Sequence, residues 1–179
     1  MGWHIAPRDQ RGHFVGKPIR TLGLLLTACL ILPATLSADE QTLALSDFFL
    51  VDSSGEARDQ RVEHDERLRR MDKTLQAELS RSGSFSLVEM NCPSQGCSGQ
   101  AMKLDELLGR AQAAGARFLV VGAVEKMSTL VLWSRLEVYE IASRKMVFDR
   151  LFTFRGDNDE AWQRAAHYMA RDLIRNAPR

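Results

Sequence analysis

The spacing of apolar positions changes several times along the chain, and each change marks an element. Leu43 to Val51 (LALSDFFLV) reads as a first strand, and the polar stretch Asp52 to Gln60, with Ser53, Ser54 and Gly55, as a loop. From about Arg61 to Arg81, the residues Leu68, Met71, Leu75 and Leu79 recur at intervals of three and four, so they form one stripe of a long amphipathic helix. Ser82-Gly83 stops it. Phe85 to Glu89 is a short second strand, and Asn91 to Gly99 a Gly/Ser/Pro loop. Leu104, Leu107, Leu108 and Ala111 define a shorter helix, ended by Gly115.

Phe118 to Val124 is almost unbroken in its apolar character, which predicts a strand covered on both faces and therefore central in its sheet. In Leu130 to Ile141 the side chains of Leu130, Leu132, Leu136 and Val138 share a face, and Met146 to Phe154 alternates through Met146, Phe148, Phe152 and Phe154. These two runs should pair as an antiparallel hairpin across Ala142-Ser143-Arg144. The last helix carries Trp162, Ala165, Ala166, Met169 and Leu173 on its buried stripe, with Asp157 as expected cap and Glu160 answering it. The order β-α-β-α-β-β-β-α predicts an α+β domain, a mixed β-sheet with packed helices.

Ahead of these elements, Lys17 and Arg20 precede the apolar run Leu22 to Leu32, and Leu36-Ser37-Ala38 leads into Asp39. A positive flank, a short apolar segment and small residues before a polar stretch are the parts of an export signal. The chain is thus expected to divide into a signal peptide at 1–38 and a single domain at 39–179, delivered to the periplasm. The same segment admits a second reading, since Leu26-Thr27-Ala28-Cys29 fits the pattern of a lipoprotein anchored through Cys29. Against it, Leu30-Ile31-Leu32-Pro33 continues apolar where a lipoprotein tether is polar and flexible.

Residues 1–38 hold four of the 24 basic and one of the 23 acidic residues, so the remaining 141 residues carry a net charge of −2. With no basic run, a nucleic-acid surface is not expected, and membrane contact is expected only if Cys29 is lipidated. A domain of this size has room for a full core.

The sequence lacks the parts that the common catalytic constellations require. No Gly-x-Ser-x-Gly turn exists to expose a nucleophilic serine. His64-Asp65-Glu66 lacks the second His that a zinc helix needs one turn later, and both His64 and His167 read as solvated helix residues. Asp157-Asn158-Asp159 opens like a calcium loop, but Ala161, Trp162 and Tyr168 occupy positions where that loop needs a ligand, a glycine and a glutamate. Nothing calls for a catalytic residue, a metal or a cofactor. Cys92 and Cys97 are different: four residues including Pro93 and Gly96 separate them, and an oxidising compartment favours a structural disulfide. Free thiols are the remaining alternative.

Leu79-Ser80-Arg81-Ser82-Gly83 followed by Phe85-Ser86-Leu87-Val88, and Ala113-Ala114-Gly115-Ala116-Arg117 leading into Phe118 to Gly122, resemble elements of periplasmic domains such as the TolB N-terminal domain, the curli-secretion channel protein and the lipoprotein activators of penicillin-binding proteins. Val138 to Val147 is similar to their late hairpin, with Glu140, Ser143 and Arg144 replacing the usual turn residues. Arg155-Gly156-Asp157-Asn158-Asp159-Glu160-Ala161-Trp162 is similar to a segment of a family of secreted proteobacterial proteins catalogued as a domain of unknown function. These resemblances imply a fold and a habit of binding partners rather than turning over substrates.

Two functions remain in play. One is a non-enzymatic binding or assembly module that contacts another cell-envelope protein, using Trp133 and Tyr139 on the strand face opposite the apolar one; a helix covering those side chains would be the plain alternative. The other is a small-ligand-binding accessory to a periplasmic enzyme, using the loop after the first strand, with Asp52, Ser54 and Arg155 expected to line a pocket. The sequence leaves the oligomeric state open.

Overall fold

A computed structural model of the chain describes residues 41–177; the segment expected to be a signal peptide, with Cys29, lies outside them. The elements in order are β1 (Thr42–Leu45), β2 (Phe49–Asp52), α1 (Arg61–Ser82), β3 (Ser86–Leu87), α2 (Leu104–Ala113), β4 (Phe118–Lys126), β5 (Val131–Glu140), β6 (Lys145–Arg155) and α3 (Asp159–Asn176). This is an α+β fold on one mixed sheet of six strands, in the order β3-β1-β4-β5-β6, with β2 also paired to β4. β4 is central, and β5 and β6 form the expected antiparallel hairpin.

The expected first strand is broken in two. Leu45 pairs with Val120, but Phe49 pairs with Ala123, so the chain advances four residues on this side for three on β4. The extra residue is a bulge at Ser46–Phe48. It reverses the parity that faces inward: Leu43 before it and Phe48 after it both enter the core beneath α1, while Phe49 faces the other way. A ring crosses over β4 here only because residue 122 is glycine; a Cβ on Gly122 would lie 2.0 Å from a Phe48 ring carbon.

Alternation on β4 and β5 sorts side chains between two layers. Phe118, Val120, Val124, Leu132, Leu136 and Val138 face α1 and α3 and form the larger core with Met71, Leu75, Trp162 and Met169. Ala44, Leu119 and Ile141 face the other way, beneath α2 and beside Cys97. The alternation on β6 slips by one at Val147, because Val138 pairs with Phe148 and Tyr139 with Met146. Met146 therefore lies opposite Tyr139 rather than on the face of Phe148.

The helices end where the sequence indicates. Gly83 caps α1 with φ 66°, a left-handed conformation that costs other residues energy. The start of α3 differs from expectation: its cap is Asn158, whose side chain accepts from the Ala161 amide at 2.9 Å. Asp157 turns inward instead, where His64, Arg67 and Lys126 converge on its carboxylate in a buried setting.

Candidate binding surface

The two helical layers differ in reach. A residue adds about 1.5 Å to a helix and about 3.3 Å to a strand, so the ten residues of α2 cover less than half the length of the ten-residue β5. The 22 residues of α1 span the opposite face in full. On the α2 side the uncovered part of the sheet consists of two cross-strand rows: Phe49, Ala123, Arg135 and Leu151, then Val51, Glu125, Trp133 and Thr153. Small Ala123 forms the floor between larger neighbours, and the result is an open groove of about 380 Å³ lined by Phe49, Val51, Ala123, Trp133, Arg135 and Leu151 among others. Val51 is 44%, Trp133 37% and Leu151 59% exposed, values that leave three large apolar side chains in water around one groove.

Polar groups hold the groove's rim. Arg135 reaches Asp149 on β6 at 2.7 and 3.0 Å and Glu137 at 3.0 Å. Glu125 accepts from the Ser53 hydroxyl at 3.0 Å. Tyr139, expected beside Trp133 on this face, is on it, but packs at the edge of the cluster under α2. Its hydroxyl donates to Glu137 at 2.7 Å. Burial, then this bond, pushes the Tyr139 pKa up to about 12.

At the start of α1 lies a cleft of about 380 Å³, lined among others by Asp47, Asp52, Asp59, Arg61 and His64. Asp52 is the expected pocket residue that lines it. Ser54 instead closes a turn, giving its amide at 3.0 Å and its hydroxyl at 2.6 Å to Asp52, and these bonds hold the Asp52 carboxyl below its ordinary range. Arg155 sits exposed at the end of β6, paired in the ladder with Val131.

Below that cleft is a buried ionic cluster that the sequence reading missed. Lys126, fully buried at the end of β4, places its ammonium 2.7 Å from Glu56 and 3.0 Å from Asp157, and also bonds Gln60. Asp157 further receives Arg67 at 2.9 Å and the Trp162 indole N–H at 3.1 Å, and pairs with His64 Nε2 at 2.8 Å. His64 is 2% exposed and stacks at 6.0 Å on Trp162, correcting the expectation of a solvated histidine. Burial works against the Asp157 carboxylate, but the bonds from His64 and Lys126 outweigh it and hold its pKa low. Burial likewise opposes the Lys126 ammonium, and the bonds to Glu56 and Asp157 overcome it, raising the pKa. The signal was available: His64 falls one helical turn before Leu68, and Lys126 continues the inward parity of Val120 and Val124.

The loop 91–99 is tied down at both levels. Cys92 and Cys97 form a disulfide with their Cα atoms 5.4 Å apart. The Cys97 amide donates to the Asp47 carboxylate at 2.6 Å, and the Asp47 amide to the Cys97 carbonyl at 3.0 Å. Asp72 of α1 faces the same bulge; burial, with the Asp47 charge adding, raises its pKa to about 7.

Among solved structures, the hypothetical protein CT253 from Chlamydia trachomatis is similar in fold, with a TM-score of 0.51 at 13% identity over 75% of this chain and 96% of that one. TolB from Acinetobacter baumannii gives 0.47 at 15% identity, covering 76% of this chain and 28% of TolB, so this chain spans about a quarter of that protein. The subunit of a PelC dodecamer from Paraburkholderia phytofirmans gives 0.49 at 15% identity over 75% of this chain and 86% of that one. No curated protein matches the chain. The profile of the DUF3280 family, described as protein of unknown function (DUF2380), matches residues 41–174, nearly the whole of the domain whose sheet, helices and ionic cluster are described above. The chain belongs to that family.

Proposed function

We propose that this protein is a non-enzymatic accessory domain of the periplasm that binds another cell-envelope protein through the groove containing Trp133. The observation that carries the reading is the gathering of Val51, Trp133 and Leu151, exposed to water, around one groove on a sheet face that α2 is too short to cover. An aromatic anchor flanked by aliphatic side chains and rimmed by the paired charges Arg135 and Asp149 has the composition of a protein-binding hot spot. Export to the periplasm rests on the segment Lys17 to Ala38.

The small-ligand reading draws on the cleft at the start of α1, and there the charges are already engaged. Arg61 bonds Asp59 at 2.6 Å, and Asp52 is satisfied by Ser54. Groups satisfied internally contribute little to recognising a ligand, so the groove is the stronger site.

A photoreactive amino acid at Val51, irradiated in intact cells, tests the proposal. A covalent adduct to an envelope protein is the expected result; a protein adduct obtained only from probes at the α1 start cleft, such as position 65, would contradict the groove as the binding surface.

A further inference from the structure

β6 is the last strand of the sheet, and among the described residues it pairs only with β5. Eleven residues thus present a free row of backbone donors and acceptors, an arrangement that proteins ordinarily cover or blunt. The bulge at Val147 blunts only its beginning. Near Phe152 the edge is flanked by exposed apolar groups on both faces of the sheet. Leu151 is 59% exposed on the groove side. Tyr168, 52% exposed on α3, stands edge-on to the Phe152 ring at 5.8 Å on the helical side.

We propose that the protein forms a two-fold dimer in which β6 pairs antiparallel with β6 of a second copy, centred on Phe152. Register follows from geometry and charge. Opposed residues of an antiparallel pair share a face, so a two-fold pairing of identical strands centres on a single residue. A centre at Asp149 or Arg150 sets like charges against each other at the axis, and the Arg150 register also opposes Lys145 to Arg155. Centres at Phe148 and Leu151 draw the bulged Val147 into the ladder, and one at Thr153 leaves only residues 151–155.

The Phe152 centre avoids these faults. It uses residues 149–155, clear of the bulge, and it opposes Asp149 to Arg155 at both ends. Arg155 is exposed and has no ion pair among the described residues, whereas Asp149 already attracts Arg135 and has its carboxyl held low by that bond. The pairing gives Arg155 its missing partner. It also covers Leu151 with Thr153 of the second copy and brings the two Tyr168 side chains together over the helical face. Trp133 lies one strand in from the edge, so the dimer extends the groove without closing it.

Sedimentation of the protein produced from the full-length chain tests the inference. The wild type should run as a dimer that dissociates on dilution. Arg155→Asp and Asp149→Arg each turn both end pairs repulsive and should raise the dissociation constant by roughly tenfold or more. Mixing the two variants restores both attractive pairs and should restore the dimer as a heterodimer. Independently of any substitution, the outward amides of β6 should gain protection from hydrogen exchange as wild-type concentration rises. A wild type that stays monomeric without such protection, or a dimer indifferent to both charge reversals, would overturn the inference. So would variants that fail to recombine while still folded by circular dichroism. The Val51 crosslink is read separately, because that side chain lies off the β6 edge and its adduct reports the groove's partner.

Discussion

Lys126 and Asp157 meet at 3.0 Å, their side chains 0% and 6% exposed, and they tie the end of β4 to the start of α3. Asp157 also serves His64, Arg67 and Trp162, so its loss takes a partner from three more groups. Breaking a buried pair on one side costs far more than the pair itself contributes. Asp157→Ala is expected to lower stability by about 3–5 kcal/mol in chemical denaturation. Lys126→Met, which leaves Asp157 bonded to Arg67, His64 and Trp162 and puts an apolar chain in the core, should cost clearly less.

Gly122 has to be glycine for a reason the sequence alone does not reveal. Ring carbons of Phe48 stand 2.0, 2.2 and 2.3 Å from where a Cβ would be. Gly122→Ala should destabilise by roughly 1–3 kcal/mol through overpacking. Adding Phe48→Leu to it should recover part of the loss, which a double-mutant cycle would detect as coupling.

Asp72 should impose an unusual pH dependence. Its folded-state pKa, about 7, lies above the ordinary 3.8, so the native state retains a proton that the unfolded chain releases. This contribution to stability is present below about pH 4 and lost as pH rises to about 7. Asp157, held below 3.8, acts in the opposite sense: its contribution is lost as pH falls below that value. Asp72→Asn, which keeps the shape and leaves Asp47 as the facing charge, should stabilise by about 1–3 kcal/mol at pH 8 and change little at pH 4. Equal effects at both pH values would contradict the assignment.

The Cys92–Cys97 bond closes a loop that hydrogen bonds exchanged with Asp47 already position. Replacing both cysteines with serine is expected to cost no more than about 2 kcal/mol and leave the fold intact. Thiol titration of protein recovered from the periplasm without reductant should find neither cysteine free.

How much of this was readable beforehand depended on whether a residue's fate is local. Helix stripes and strand alternation gave the helices, the central β4 and the β5–β6 hairpin, because Leu68 through Leu79 and Leu132 through Val138 repeat with the period of their own element. The bulge at Ser46–Phe48 escaped, since it depends on Gly122 some 75 residues away. His64, Lys126 and Asp157 also escaped: polar residues on buried stripes look solvated until the partners that satisfy them are in place. Trp133 and Tyr139 share a face in the sequence, yet only the length of α2 decides which one stays uncovered.

On this proposal the uncovered half of the sheet is a protein-binding surface anchored by Trp133. It is tested most directly by substituting Trp133→Ala in cells that carry the photoreactive residue at Val51 and measuring the yield of the envelope adduct. Removal of an aromatic hot spot commonly costs 2 kcal/mol or more, about a 30-fold loss of affinity, while a residue 37% exposed should affect folding far less. The adduct should disappear while thermal unfolding stays close to the wild type. An adduct of undiminished yield from a folded Trp133→Ala variant would contradict it.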